Sequence, residues 1–123
     1  MNMNNIRTGT LYAVADQLLQ DAELEMDRSA EDVVTHLVCR NSRQSIENYL
    51  TGYLLDKLVS LPHPITLAGL LAHCKTVDSR FADLDFTPIH CRFEEEDKDY
   101  CLATETVETC LRIARHAEQL VKG

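Results

Sequence analysis

The fold of this chain is decided by residues 40–55, which read RNSRQSIENYLTGYLL. The second half of the stretch carries aliphatic and aromatic residues at helical spacing, and the first half carries polar residues. No proline interrupts it, and Gly52 is its weak point for a helix. We expect the middle of a long helix whose polar side chains pack as a seam. A kink near Asn41 or Gly52, or a break into two helices at residues 40–42, is the alternative.

The long helix is predicted to span residues 30–60. Ser29 followed by Asp32 is a helix-start signal, because a hydroxyl can cap the first turn and a carboxylate three residues later supports it. The helix ends before residues 61–64, which read LPHP, since proline removes a hydrogen-bond donor and restricts the residue before it.

Three other helices are predicted from the spacing of apolar residues. The first begins at residue 8 or 10 and ends at residue 26. The third follows the proline-containing link, and Thr66 can cap it. Residues 78–100 are irregular, and their aromatic and aliphatic side chains indicate packing against the body, with a short helical turn near residues 80–84. The last helix is predicted over residues 100–122.

A chain of 123 residues with 45% hydrophobic residues can bury the core of one domain, here residues 1–123. Leu and Ala dominate the apolar set, which favours helix over strand. The expected fold is all-α, with four main helices in an up-and-down bundle. One of these helices is long, and an irregular loop precedes the last one.

The net charge of −8 argues against a general nucleic-acid binder and against adhesion to an anionic membrane, since both need clustered cations. The five cysteines are odd in number and form no Cys-x-x-Cys pair, so they predict reduced thiols packed as small apolar side chains. No apolar stretch approaches about 20 residues. We therefore expect a cytoplasmic protein with no targeting segment and no membrane span.

Sequence patterns for metal, cofactor and nucleophile sites are absent. His36 and Cys39 could share a helix face, but Cys39 belongs to the apolar stripe and no second close-spaced ligand pair accompanies them. No Glu-x-x-His motif of a di-iron bundle occurs, and the glycines are too scattered for a phosphate loop. We expect no metal and no cofactor, and an enzyme is less expected than a binding protein.

Two groups of side chains are candidates for holding an anion or for cleaving RNA without a metal. The first group interrupts the centre of the long helix and comprises Arg40, Asn41, Arg43 and Glu47. The second group lies near the C-terminus and comprises Arg112, Arg115 and His116. Arg112 and His116 are four residues apart and so share a helix face. The simpler interpretation of this second group is surface cations that favour the dipole of a C-terminal helix half.

The order of these features resembles the HEPN family, the nucleotide-binding domain of higher eukaryotes and prokaryotes, over residues 40–121. The resemblance rests on the polar-then-apolar helix at residues 45–54, the His/Pro link and helix at 63–71, a loop that ends in Asp99-Tyr100, and the helix at 114–121. It implies an α-helical bundle, often an antiparallel dimer. Some members are paired with a nucleotidyltransferase subunit, which would be a partner here.

Ribonuclease members of that family carry an Arg and a His separated by four to six residues. No Arg of this chain has a His five to seven positions later, and only three residues separate Arg112 from His116. The resemblance therefore implies the fold and a binding or regulatory role, whereas this departure argues against ribonuclease activity.

The leading hypothesis is a non-catalytic HEPN-like module that forms a homodimer and binds a nucleotide or a protein partner in a groove between the long helix and the last helix. Arg40 and Arg43 would hold an anionic group through charge-assisted hydrogen bonds, Asn41 would position it, and Glu47 would line the groove. One alternative is a metal-independent ribonuclease of toxin type with a degenerate centre at either group. Another is a structural adaptor that has no ligand.

Overall fold

The computed structural model describes residues 3–29, 33–86 and 104–123. In these residues the chain forms no strand and four α-helices: α1 (Met3–Met26), α2 (Thr35–Asp56), α3 (Leu67–Val77) and α4 (Thr104–Lys122). A 3₁₀ turn, Ser79–Asp83, follows α3. The predicted all-α bundle is confirmed. None of the described helices is both long enough and apolar enough to cross a bilayer.

The predicted long helix is continuous across residues 40–42, which excludes the break into two helices. It begins at Thr35, so the expected start near Ser29 is wrong. Val34 precedes the helix in an extended conformation, and its N–H donates to the Glu25 carboxylate at 2.9 Å. Glu25 of α1 thus satisfies the Val34 N–H at the start of α2. The sequence instead predicts a cap by the nearby hydroxyl of Ser29.

The C-terminal end of α2 is at Asp56, earlier than predicted, because the chain adopts a left-handed conformation at Leu58 (φ 59°). The Val59 N–H then donates to the Leu54 carbonyl at 2.9 Å and satisfies a group that the helix end would otherwise leave open. This conformation is unfavourable for leucine, and the Leu58 side chain remains 73% exposed. The proline-containing link follows, as predicted.

The central helix of the bundle is α2, which packs against α1, α3 and α4. α1 runs antiparallel to it, because Thr8 donates to the Gly52 carbonyl at 3.4 Å while Ser45 donates to the Ala15 carbonyl at 2.9 Å. Ion pairs between α1 and α4 show that these two helices are antiparallel as well. α2 and α4 therefore run parallel, as in an up-and-down bundle.

The predicted polar seam is formed by two serines of α2 rather than by its longer polar side chains. Ser42 and Ser45 are fully buried, and Ser45 makes the hydrogen bond to α1. The hydroxyl of Ser42 is buried without a hydrogen-bond partner among the described residues. Small side chains at these positions allow the neighbouring helices to approach α2 closely.

The third helix begins as predicted, because the Thr66 hydroxyl accepts a hydrogen bond from the Gly69 N–H at 3.0 Å. The thiol of Cys74 lies 3.9 Å from the Leu50 carbonyl of α2, which places this side of α3 in the core. The last helix is confirmed from Thr104 onward, and its expected start at residue 100 lies outside the described residues.

The predicted turn near residues 80–84 is confirmed as the 3₁₀ turn. Asp78 caps it by accepting a hydrogen bond from the Arg80 N–H at 2.9 Å. The Arg80 side chain also donates to the Asp78 carboxylate, and this hydrogen bond lowers the pKa of Asp78. The same guanidinium donates to the Leu120 carbonyl at 3.2 Å, which ties the turn to α4.

Close packing between α1 and α2 gives a prediction at Gly52. A β-carbon at this position would lie 2.7 Å from the ring of Tyr12. Helix propensity alone favours alanine over glycine by about 1 kcal/mol, but the clash opposes that gain. We expect Gly52→Ala to lower the free energy of unfolding by about 1–2 kcal/mol, as measured by urea denaturation.

The matched control is Gly9, which is also helical but exposed, with nothing within 4 Å of a β-carbon. Because only propensity acts there, Gly9→Ala is expected to raise the free energy of unfolding by up to about 1 kcal/mol. A stabilising effect of both substitutions would contradict the close packing of Tyr12 on Gly52.

Candidate functional site

The exposed side of α2 carries a line of residues at alternating spacings of three and four. We call it the outer stripe, and its members are Leu37, Arg40, Gln44, Glu47 and Thr51. Arg40 is exposed, and the other four are half-buried. Because a helix turns about 100° per residue, these side chains lie along one side. The stripe therefore places the cation of Arg40 one turn before Gln44 and the carboxylate of Glu47 one turn after it.

The four ligand-binding residues predicted on α2 do not converge on one point. Arg40, Arg43 and Glu47 share the exposed side of the helix, where Arg43 is half-buried. Asn41 lies about 160° around the helix from Arg43. α2 can thus present two cations and a carboxylate to a partner surface, but Asn41 does not complete an anion site with Arg43.

A depression of about 340 Å³ lies between α1 and α2. Its lining residues are Val14, Leu18, Gln44, Glu47 and Asn48. The sequence predicts that Glu47 lines a groove between the long helix and the last helix. Glu47 instead lines the depression between α1 and α2. The depression joins the outer stripe through Gln44 and Glu47, so the two features form one continuous surface.

Two aliphatic residues of this depression belong to the apolar stripe of α1 but not to the core. Ala15, Leu19 and Ala22 are buried, whereas Val14 is 45% exposed and Leu18 is half-buried. The apolar stripe of α1 is therefore wider than the bundle covers. Val14 and Leu18 widen the apolar stripe of α1 beyond what the core needs, and this pattern in the sequence could have indicated the surface.

The second predicted group of cations is divided between two sides of α4. Arg112 and His116 line a cleft of about 230 Å³ between α4 and the segment that contains the 3₁₀ turn. Arg115 instead forms an ion pair with Glu23 of α1 at 3.3 Å. The other residues that line the cleft are Asp83, Leu84, Asp85, Thr109 and Ile113. Arg112 and His116 thus lie together, as their spacing predicts, and the two carboxylates beside them were not predicted from the sequence.

A network of charged residues around Tyr49 joins three helices. The Tyr49 hydroxyl donates to the Asp16 carboxylate of α1, and the Glu118 carboxylate of α4 lies 3.2 Å from the same oxygen. Lys122 donates to Asp16 at 2.6 Å and to Glu118 at 3.2 Å. Its Nζ atom also lies 5.7 Å from the centroid of the Tyr49 ring.

Burial and hydrogen bonding shift the pKa values of the groups in this network. Burial raises the pKa of Tyr49, and the hydrogen bond to Asp16 raises it further. Burial acts to raise the pKa of Asp16, but hydrogen bonds from Lys122 and Tyr49 outweigh it and hold that pKa below 3.8. Burial likewise acts to lower the pKa of Lys122, and the two carboxylates raise it above 10.5. The network stabilises the packing of the helices.

Cys39, Cys74 and Cys110 are buried. Burial raises the pKa of Cys74 to about 12, so this thiol is poorly reactive at neutral pH. Cys91 and Cys101 lie outside the described residues. Within the part of the chain that the structure describes, no group of three His, Cys, Asp or Glu side chains is placed to hold a metal ion.

Comparison with known proteins adds no relative to these observations. No protein-family model, curated protein or solved structure matches the chain. The HEPN resemblance therefore rests on the sequence pattern.

Proposed function

We propose that the chain is a non-catalytic, HEPN-like helical module that forms a homodimer through the outer stripe of α2. The observation that supports this most is the charge order along the stripe, in which Arg40, Gln44 and Glu47 follow one another at successive turns. Two copies that cross at Gln44 in antiparallel directions bring Arg40 of each beside Glu47 of the other. The stripe is complementary to itself, as a two-fold interface requires.

The depression beside the stripe would add apolar area to the same interface. Val14 and Leu18 provide aliphatic surface, and the amides of Gln44 and Asn48 provide hydrogen-bonding groups. A mixture of this kind is typical of pairing surfaces on proteins that are also stable alone. The exposed fraction of Val14 would be removed from water on pairing, at about 25 cal/mol per Å² of apolar area.

Binding of a nucleotide or of a protein partner is the other part of this proposal. Arg43 lies on the flank of the outer stripe, so it would remain at the edge of the pair, where it could contact a phosphate or a carboxylate. Asn41 lies about 160° around the helix from Arg43, so it would not contact the same anionic group. Native mass spectrometry with added ATP tests this part separately, since a bound nucleotide adds a fixed mass to the dimer.

A metal-independent ribonuclease is the second candidate, and one observation favours it. Arg112 and His116 line the same cleft, where a cation and a general base could act together. Asp83 and Asp85 line that cleft too, and two carboxylates repel the phosphate backbone of RNA. Cleavage of RNA by the purified protein, lost in His116→Ala, would replace the binding-module proposal.

Charge reversal tests the homodimer. We expect Arg40→Glu and Glu47→Arg each to weaken the dimer at least about tenfold, because each substitution places like charges opposite one another. The double variant should recover most of the affinity, since it exchanges the two charges and restores complementarity. Sedimentation equilibrium over a concentration series measures the Kd of each protein.

Arg112→Glu is the matched control for these variants, because it reverses an exposed charge on α4, away from the outer stripe. Its Kd should equal that of the unmodified chain. A chain that stays monomeric at millimolar concentration would contradict the proposal. A double variant no better paired than the single variants would do the same.

A further inference from the structure

A row of carboxamides on α2 borders the depression between α1 and α2. Asn41, Gln44 and Asn48 follow one another at spacings of three and four, so they lie on one side of the helix. We call these residues the carboxamide row. All three are half-buried, and Gln44 and Asn48 line the depression of about 340 Å³. Val14 and Leu18 of α1 supply its aliphatic lining, so the depression combines amide groups from one helix with apolar groups from the other.

The hydrogen-bonding groups of the carboxamide row are not used within the fold. In the described part of the chain none of its three side chains makes a hydrogen bond, whereas the carboxamide of Gln17 on α1 donates to Asp21 at 2.9 Å. A carboxamide has two N–H donors and one acceptor oxygen, and covering them without a partner costs free energy. An occupant of the depression must therefore supply both acceptors and donors.

The spacing of the row matches the backbone of an extended chain. Gln44 and Asn48 are four residues apart, which is about 6 Å along the helix axis. Alternate residues of an extended segment are about 6.6 Å apart, and each presents an N–H and a C=O on the same edge. A helix offers no such groups along its side, because its backbone is hydrogen-bonded internally. The row therefore fits an extended segment better than a helix.

The charges at the depression favour a cationic occupant. Glu47 is the charged residue of its lining, and the chain as a whole has a net charge of −8. A field of this sign attracts basic side chains and repels acidic ones. An occupant with Lys or Arg beside its aliphatic residues is therefore complementary to the site in charge as well as in hydrogen bonding.

We propose that the depression binds an extended, basic peptide segment of a partner protein. The carboxamides of Gln44 and Asn48 pair with the N–H and C=O groups of its backbone, and its aliphatic side chains pack on Val14 and Leu18. This inference does not rest on the proposed homodimer. A peptide and a second copy of the chain would both cover Gln44, so the two occupants exclude each other.

The probe is a fluorescein-labelled peptide of sequence KVSVSVK, whose β-branched residues favour an extended backbone. It is titrated with the Arg40→Glu variant, in which the proposed dimer is weakened and the lining of the depression is unchanged. We expect the fluorescence anisotropy to rise in a saturable way, with a Kd below about 1 mM. The same peptide N-methylated at every internal residue should bind at least about tenfold more weakly, because it lacks the N–H donors. Replacing both of its lysines with glutamate should weaken binding by a similar factor.

Substitutions in the row test the site itself. Gln44→Met and Asn48→Leu remove a carboxamide at similar side-chain volume, and each should weaken peptide binding at least about tenfold. Gln119→Met is the matched control, because Gln119 is an exposed carboxamide of α4 that does not line the depression. Its Kd for the peptide should be unchanged, and circular dichroism of each variant checks that the fold is retained.

The inference is overturned if the anisotropy shows no saturable rise up to about 1 mM protein. It is also overturned if the N-methylated peptide binds as tightly as the probe, which would show that the backbone is not recognised. A failure of the homodimer gives a different result. The unmodified chain would then bind the probe as tightly as Arg40→Glu does, whereas a dimer that covers Gln44 makes its binding weaker.

Discussion

Replacement of Phe81 with alanine is expected to lower the free energy of unfolding by about 3–5 kcal/mol. Phe81 is the fully buried side chain of the 3₁₀ turn, and the centroid of its ring lies 4.8 Å from that of Tyr53 on α2. The backbone of the turn is fixed by the hydrogen bonds of Asp78 and Arg80, so it cannot collapse to fill the space that the ring leaves. Urea denaturation followed by circular dichroism measures the loss.

Phe86 provides the matched control, because it carries the same ring close by in the chain but is half-buried at the edge of the core. Phe86→Ala should cost about 1–2 kcal/mol, since less apolar area returns to water. A typical domain is stable by only about 5–15 kcal/mol, so the substitution at Phe81 would remove a large share of the total. Equal losses at the two positions would show that the turn is not anchored through Phe81.

Features of the fold that depend on local chemistry could be predicted from the sequence. The proline-containing link, the Thr66 cap and the turn near residues 80–84 all follow from residues within a few positions of the structure that they determine. The start of α2 could not be predicted in this way. The Val34 N–H is satisfied by Glu25, which lies nine residues earlier on another helix, and no local pattern signals that contact.

The same distinction applies to the candidate sites. Spacing along one helix predicts that Arg112 and His116 lie together, and that Arg40, Arg43 and Glu47 share a side of α2. Which residues of another element complete each surface depends on long-range packing. The pairing of Arg115 with α1 and the carboxylates beside Arg112 are of this kind, since they join segments far apart in the chain.

Removal of the Tyr49 hydroxyl is expected to lower the free energy of unfolding by about 2–3 kcal/mol near neutral pH. Tyr49→Phe keeps the buried ring but removes the donor to Asp16, and hydrogen bonds to charged groups contribute about 1.5–3 kcal/mol each. Tyr53→Phe is the matched control on the same helix, because the Tyr53 hydroxyl lies 3.5 Å from Asp78, at the limit of a hydrogen bond. That variant should lose less than about 1 kcal/mol. Equal losses in urea denaturation would contradict a special role for the network around Tyr49.

The stability difference between the unmodified chain and Tyr49→Phe should also depend on pH at both ends of the scale. The folded pKa of Asp16 is held below 3.8, so its stabilisation is complete above that pH and is lost as the pH falls through the lowered folded value. The folded pKa of Tyr49 is raised above 10.0, so the stabilisation from its protonated hydroxyl is complete below pH 10.0. Above that pH the unfolded tyrosine ionises first, and the difference shrinks by about 1.4 kcal/mol per pH unit until the folded pKa is reached. Because phenylalanine cannot ionise, a difference that stays constant from about pH 3 to about pH 11 would show that the hydroxyl does not couple to these charges.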